Sequence, residues 1–243
     1  MTGSRVALVT GGSRGIGRTA ALRLAADGQS VVIAYVSNDT EADGVVREIT
    51  AAGGTAIAVR ADVADEHAVA ELFDAAEAEF GGVDVVVHAA GVMGLAPVAD
   101  FDLDLLDRIY RVNIRGTFVV DQQAARRVRG GGAIINFSTS VTKLALPGYA
   151  GYAASKGAVD TISLILAKEL RGRDITVNAV APGPTATALF FDGKDEATID
   201  RMAKMNPLER LGTPADIAEV VSFLAGPGRW INGQTIYVNG GMA

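Results

Sequence analysis

Val6-Ala7-Leu8-Val9-Thr10-Gly11-Gly12-Ser13-Arg14-Gly15-Ile16-Gly17 runs from a short β-branched stretch through a glycine-rich turn into a helix, in which Ile16, Ala20 and Leu24 share one face. Glycine tolerates positive φ and lets the backbone come close to a ligand. The helix N-terminus behind it presents unpaired N–H groups suited to a pyrophosphate. A tight strand–helix turn with no ligand is the plainer alternative, and the spacing is not G-x-G-x-x-G. The strand before and the helix after favour nucleotide binding.

The same rhythm extends outward. Further strand-like runs fall at Ser30–Tyr35, Thr55–Ala61, Val83–Ala89, Ala133–Ser138, Thr176–Ala181 and Thr235–Val238. Unbroken apolar runs such as Val85-Val86-Val87 suit strands buried on both faces, as in a parallel sheet covered by helices. Between them lie helix-period segments: Val69, Leu72, Phe73, Ala76 and Phe80, then Val159, Ile162, Leu166 and Leu170. This alternation predicts a doubly wound α/β fold with a mostly parallel seven-stranded sheet and helices on both faces. No composition shift marks a linker across the 243 residues, so one domain is expected over 1–243. The rhythm breaks between Pro182 and Pro214, which hold four of the seven prolines between them. An excursion of that length after a parallel strand reads as a substrate lid, over 188–212.

Composition narrows the chemistry. With 49% apolar and 21% charged residues the chain is globular. It has no cysteine and two histidines, so disulfides, thiol nucleophiles and thiolate or His-rich metal sites are not expected. The net charge of −6 argues against a nucleic-acid partner. No run is long and apolar enough for a membrane span, and no export signal is visible, so a soluble cytoplasmic protein is expected.

Tyr152-Ala153-Ala154-Ser155-Lys156 places a phenol and an ammonium four residues apart, on one face of a helix. A neighbouring cation favours phenolate, and such a pair can serve as general acid or base. Taken alone, it equally describes a solvated helix face.

Together these segments resemble the short-chain dehydrogenase/reductase family in its single-domain form. The resemblance rests on Thr10-Gly11-x-x-x-Gly15-x-Gly17, Val112-Asn113-Ile114, Ser138-Thr139-Ser140, Tyr152-x-x-x-Lys156 and Pro182-Gly183-x-x-x-Thr187, with Val238-Asn239-Gly240-Gly241 at the end. It spans essentially the whole chain and implies a Rossmann-like fold. It also implies a catalytic set: Tyr152 as the proton donor to a carbonyl oxygen, Lys156 lowering the phenol's pKa and holding the nicotinamide ribose, and Asn113 holding a relay water. A hydroxyl of the Ser138–Ser140 cluster would polarise the carbonyl. The family spacing of thirteen residues before the tyrosine falls on Thr139, whereas Ser140-Val141-Thr142 is more similar to the family's local pattern. Ser140 is therefore the expected hydroxyl, with Thr139 and Ser138 as alternatives.

The cofactor-binding set that the resemblance implies comprises Gly11, Ser13, Arg14, Gly15, Ile16 and Gly17 in the glycine turn, and Asp62 and Val63 after the third strand. It continues with Ala89, Ala90 and Gly91 after the fourth strand, Tyr152 and Lys156, and Pro182, Gly183, Thr185 and Thr187 after the sixth. The family's usual Asn-Asn-Ala-Gly is here His88-Ala89-Ala90-Gly91, which drops an asparagine that would help hold the strand end. No carboxylate ends the second strand; Ser37 and Asn38 stand there, and Arg14 lies in the glycine turn. That charge pattern suits a 2′-phosphate and hence NADP(H).

The expected activity is NADPH-dependent reduction of a ketone to a secondary alcohol, or the reverse. Similarity to 3-oxoacyl-carrier-protein and hydroxynaphthalene reductases makes carrier-linked or aromatic ketones candidates. A non-catalytic dinucleotide sensor or scaffold is the alternative, but it would not need Asn113, Tyr152 and Lys156 together. A homotetramer is expected from the family and from the wide apolar girth of Ala158, Val159, Ile162, Ile165 and Leu166. Arg126, Arg127 and Arg129 before the fifth strand, with Arg171 and Arg173 before the sixth, make an acyl carrier protein a candidate partner.

Overall fold

In a computed structural model, which describes residues 4–243, Val6–Thr10 forms β1, buried along its whole length. It is flanked by β2 (Ser30–Tyr35) on one side and β4 (Val83–His88) on the other, and β3 (Ala56–Arg60) lies beyond β2. β5 (Val128–Phe137), β6 (Thr176–Pro182) and β7 (Thr235–Val238) extend the sheet from β4, in the order β3-β2-β1-β4-β5-β6-β7. Every pairing is parallel, as in Val9↔Ile33, Val9↔Val87 and Ile135↔Asn178. The strand order reverses between β1 and β4. Ligand crevices form outside the carboxyl ends of the strands at such a point.

The period-two alternation of each strand sorts its side chains to two faces. Leu8, Val32, Val86 and Ile134 meet α3 (Glu66–Phe80), α5 (Gly116–Arg127) and α7 (Ala150–Glu169). Val9, Ile33, Val87 and Ile135 meet α1 (Gly15–Ala26) and α10 (Pro214–Ala225). Phe73 of α3 is fully buried, and burying such a side chain contributes about 1.5–3 kcal/mol. α2 (Asp39–Ala51) completes the second face, while α4 (Leu103–Tyr110) runs ahead of α5. After β5 comes the single turn α6 (Val141–Leu144), and after β6 come α8 (Ala188–Phe191) and α9 (Glu196–Ala203). Caps fix several helix starts: Asp65 accepts from the amides of His67 and Ala68, and Thr213 and Asp216 cap each other reciprocally at α10.

β5 starts five residues before the expected run. It pairs Val128 with Val83, bulges through Gly130–Gly132 and resumes at Ala133↔Val85. The arginines around it anchor this start. Arg127 pairs with Asp74 and Glu77, Arg129 pairs with Asp84, and Arg173 donates to the carbonyls of Ala125 and Val128. Arg129 thus lies inside β5, and three of the five arginines read as a docking patch are committed to holding strand and helix ends together. Among the described residues no helix is long and apolar enough to cross a membrane.

Candidate active site

The glycine turn lies against the end of β4. A Cβ at Gly11 would fall 2.9 Å from the Ala90 backbone, and one at Gly17 would meet the Gly11 carbonyl oxygen at 2.3 Å. Gly11 and Gly15 hold φ of +63° and +55°. These positions admit only glycine without rearrangement. Arg14 caps α1 in extended backbone without a side-chain cap bond, so its side chain leaves the first amides of that helix unbonded. Ser13 and Ile16 lie in the same turn, and Ile16 lines the cleft. Across it stands Thr187, its methyl 3.7 Å from where a Gly15 Cβ would be. Thr187 caps α8 by accepting from the Phe190 amide; Thr185, buried, donates to the Gly183 carbonyl. Gly183 is pressed on Asn239, since a Cβ there would lie 2.8 Å from that side chain. A cradle bounded by glycine backbone, with a helix N-terminus opposite hydroxyls, fits a dinucleotide pyrophosphate.

At the adenosine end, Asn38 caps α2 by accepting from the Glu41 amide at 3.1 Å, and Ser37 beside it is exposed. Asp39 beside the Tyr35 hydroxyl raises the phenol's pKa. Arg60, which sequence reading passed over, donates from Nε to the Val36 carbonyl at 2.8 Å, bringing a guanidinium to this corner. The Asp62 carboxylate accepts from the Ala64 amide and pairs with Arg111 at 2.9 Å, while Val63 is buried against Gly116.

The strand end under the nicotinamide side is held by a substitute for the missing asparagine. Thr10 Oγ1 accepts from the Ala90 amide at 3.2 Å and lies within hydrogen-bond distance of His88 Nδ1, at 2.8 Å. Burial, with Lys156 nearby, pulls the His88 pKa down to about 3, so the ring is neutral. Ala89 and Gly91 line the cleft beyond it.

Asn113 sits in a π-helical turn, Arg111–Arg115, between α4 and α5; such bulges re-aim a residue within a helix. Its side chain is fully buried. Oδ1 accepts from the Val92 amide at 2.9 Å, and Nδ2 donates to the Val92 carbonyl and to Ser155 Oγ. A Cβ on Gly91 would be 3.3 Å from Asn113 Oδ1 and 3.4 Å from Lys156 Nζ, so these three residues meet at one point. Lys156 Nζ donates to the Phe137 carbonyl at 2.7 Å and lies 5.9 Å from the centre of the Tyr152 ring. Burial lowers the Lys156 pKa to about 8, which leaves it mostly charged at neutrality. Burial pushes Tyr152 up to about 12, with the neighbouring Thr139 hydroxyl opposing the shift. Burial is the largest influence on this phenol.

The three hydroxyls after β5 separate cleanly. Ser138 turns to the Lys156 backbone and Asp160. Ser140 is buried, donates to the Ala181 carbonyl at 3.1 Å and accepts from Asn239 Nδ2 at 3.1 Å. Thr139 is the hydroxyl beside Tyr152. The oxygen of Ser140, the expected hydroxyl, is tied to β6 and the last turn, while the thirteen-residue spacing falls on Thr139, the alternative, which also lines the cleft.

Pro182 and Gly183 form the far wall of a cleft of about 960 Å³, counted with its open mouth. A family model described as enoyl-(acyl carrier protein) reductase matches residues 11–243. A short-chain type dehydrogenase/reductase from Picea abies is 48% identical, with 98% of this chain and 92% of the relative covered. An NADPH-dependent aldehyde reductase-like chloroplastic protein from Arabidopsis thaliana is 44% identical, covering 98% and 93%. Among solved structures, a short-chain dehydrogenase from Burkholderia cenocepacia in complex with NADP superposes with a TM-score of 0.92 at 40% identity, covering 98% and 97%. With its glycine cradle and its Tyr152–Lys156 helix arranged as described, the chain belongs to the short-chain dehydrogenase/reductase family.

Proposed function

We propose that this oxidoreductase reduces a free, small ketone or aldehyde with an apolar body, using NADPH. The observation that carries the reading is the convergence of Thr139, Tyr152, Lys156 and Asn113 on the mouth of the glycine cradle. The bound cofactor supplies hydride to the carbonyl carbon. Thr139 donates a hydrogen bond to the carbonyl oxygen, where negative charge develops. Tyr152, protonated at neutrality, delivers its proton to that oxygen, so an alcohol leaves. Lys156, still cationic, stabilises the phenolate left behind and holds the ribose hydroxyls. Asn113, fixed by the Val92 backbone, orients the water that returns a proton toward Lys156.

The NADP(H) preference rests on Arg14, Ser37, Asn38 and the α2 N-terminus. It is supported by relatives described as NADPH-dependent and by the NADP-bound neighbour. The residues of α8 and α9 act as the lid. With Arg127, Arg129 and Arg173 engaged internally, a free molecule is the better substrate than a carrier-linked one. Leu103, Phe118, Leu164 and Ile165 leave apolar surface exposed on α4, α5 and α7, and we assign it to a homotetramer.

The test is NADPH consumption across quinones, cyclic ketones, aryl ketones and β-keto thioesters, with NADH as comparator. NADPH is expected to give the higher kcat/KM, and Arg14→Ala to shrink that preference through the NADPH value alone. A wild type that prefers NADH contradicts the phosphate-site argument.

A further inference from the structure

Beyond Tyr152 the cleft wall is apolar, built from Val92, Met93, Leu144, Leu189, Phe190 and Met202. Among the described residues no aspartate or glutamate lines it, and its charged groups are two ammoniums, Lys156 on the floor and Lys194 in the lid. The reduction accounts for Lys156. It makes no use of Lys194.

Lys194 lies between α8 and α9 and is half-buried. Its Nζ donates to the Phe190 carbonyl at 2.7 Å and stands 5.0 Å from the centre of the Phe190 ring. That bond uses one of the three donors an ammonium carries. Burial lowers the Lys194 pKa and only Asp192, which is outside the cleft lining, pulls the other way. A half-desolvated cation without a bonded carboxylate is costly, and an anion brought into the cleft would relieve that cost.

We propose that Lys194 forms an anion subsite at the lid end of the substrate cleft, and that the molecule reduced carries an anionic oxygen group on its apolar body. The inference rests on the carbonyl-reductase reading and adds the substrate's class to it. The apolar wall takes the body, Thr139 and Tyr152 take the carbonyl, and Lys194 takes the acid. An uncharged ketone of the same shape fills the same wall and leaves the ammonium unpaired. The shared chemistry, an anionic oxygen, could also come from the cofactor's pyrophosphate, and the experiment separates the two sources.

The wild-type–NADPH complex is titrated with naphthoate and with naphthamide, its neutral counterpart, by the fluorescence of the bound cofactor. NADPH affinity is measured separately for wild type, Lys194→Met and Lys194→Arg. Naphthoate is expected to bind wild type at least about tenfold more tightly than naphthamide, on the scale of one charge-assisted hydrogen bond. The preference should vanish in Lys194→Met and persist in Lys194→Arg, with NADPH affinity equal in all three. Wild-type naphthoate binding no tighter than naphthamide, or undetectable, overturns the subsite, as does a preference that survives Lys194→Met. A Lys194→Met variant that weakens NADPH and keeps the acid preference gives the lysine to the pyrophosphate and overturns it as well. Because the readout is binding, a failure of ketone turnover would count against the reaction and not against the subsite.

Discussion

Thr139 and Ser140 differ by one position and by everything their oxygens touch. Ser140 is spent on the Ala181 carbonyl and Asn239, whereas Thr139 lies beside Tyr152 in the cleft lining. Thr139→Val keeps the shape and removes the donor, so kcat/KM should fall by about 3 kcal/mol in transition-state stabilisation, the scale of one lost oxyanion donor. Ser140→Ala should leave kcat/KM within about threefold and lower the melting temperature through its lost β6 bond. The reverse order of effects on kcat/KM would return the role to Ser140. Local pattern and spacing point to different hydroxyls because a hydroxyl's partner depends on how the chain leaves β5, which the three residues themselves do not encode. Thr10 and His88 were opaque for a similar reason. Their bond joins two strands 78 positions apart, and neither residue type announces the other.

α5 carries an acid where the core would take a methyl group. Asp121 is buried against β5, accepting from Asn136 Nδ2 at 2.9 Å, and its Oδ1 and the Asn136 Oδ1 have no donor. Burial raises its pKa from 3.8 to about 7. The folded chain therefore keeps a proton that the unfolded chain releases. The stability this confers is full below about pH 3.8 and is lost as pH rises through about 7. Asp121→Asn supplies a permanent donor to the pair. Urea unfolding should find it more stable than wild type by about 1–3 kcal/mol at pH 8, with the gap closing at pH 4. A gap independent of pH, or a loss of stability at pH 8, would show that this acid is not the source. At this scale the helices over α3 and α7 were legible, because Leu72, Phe73, Val159 and Leu166 repeat on one face. The start of β5 was not. Arg129 and three glycines fall before the apolar run that starts at Ala133, and only pairing with β4 and the Asp84 bond make them strand. The π-helical turn at Asn113 left no periodic trace either, since five residues are too few to shift a helical pattern.

For the molecule as a whole, the alternation of buried runs with amphipathic helices was enough to give seven strands and two helical layers, because both-face burial is written directly into runs such as Val85-Val86-Val87. Surfaces are less legible, since an apolar side chain has the same letter whether a core or another copy covers it. Ile165 is 49% exposed, Phe118 59% and Trp230 fully so. Light scattering at micromolar concentration should give a mass near four times the 25.0 kDa chain, and a stable monomer would contradict the tetramer. The central claim is that the cofactor cleft and the Tyr152 phenol form one reaction centre. Its most direct test is single-turnover oxidation of enzyme-bound NADPH by a saturating aryl ketone at pH 7, for wild type and Tyr152→Phe. Wild type should consume one NADPH per site, while Tyr152→Phe binds NADPH as tightly and reacts at least about a hundredfold more slowly. A Tyr152→Phe enzyme that oxidises NADPH at the wild-type rate would contradict the account.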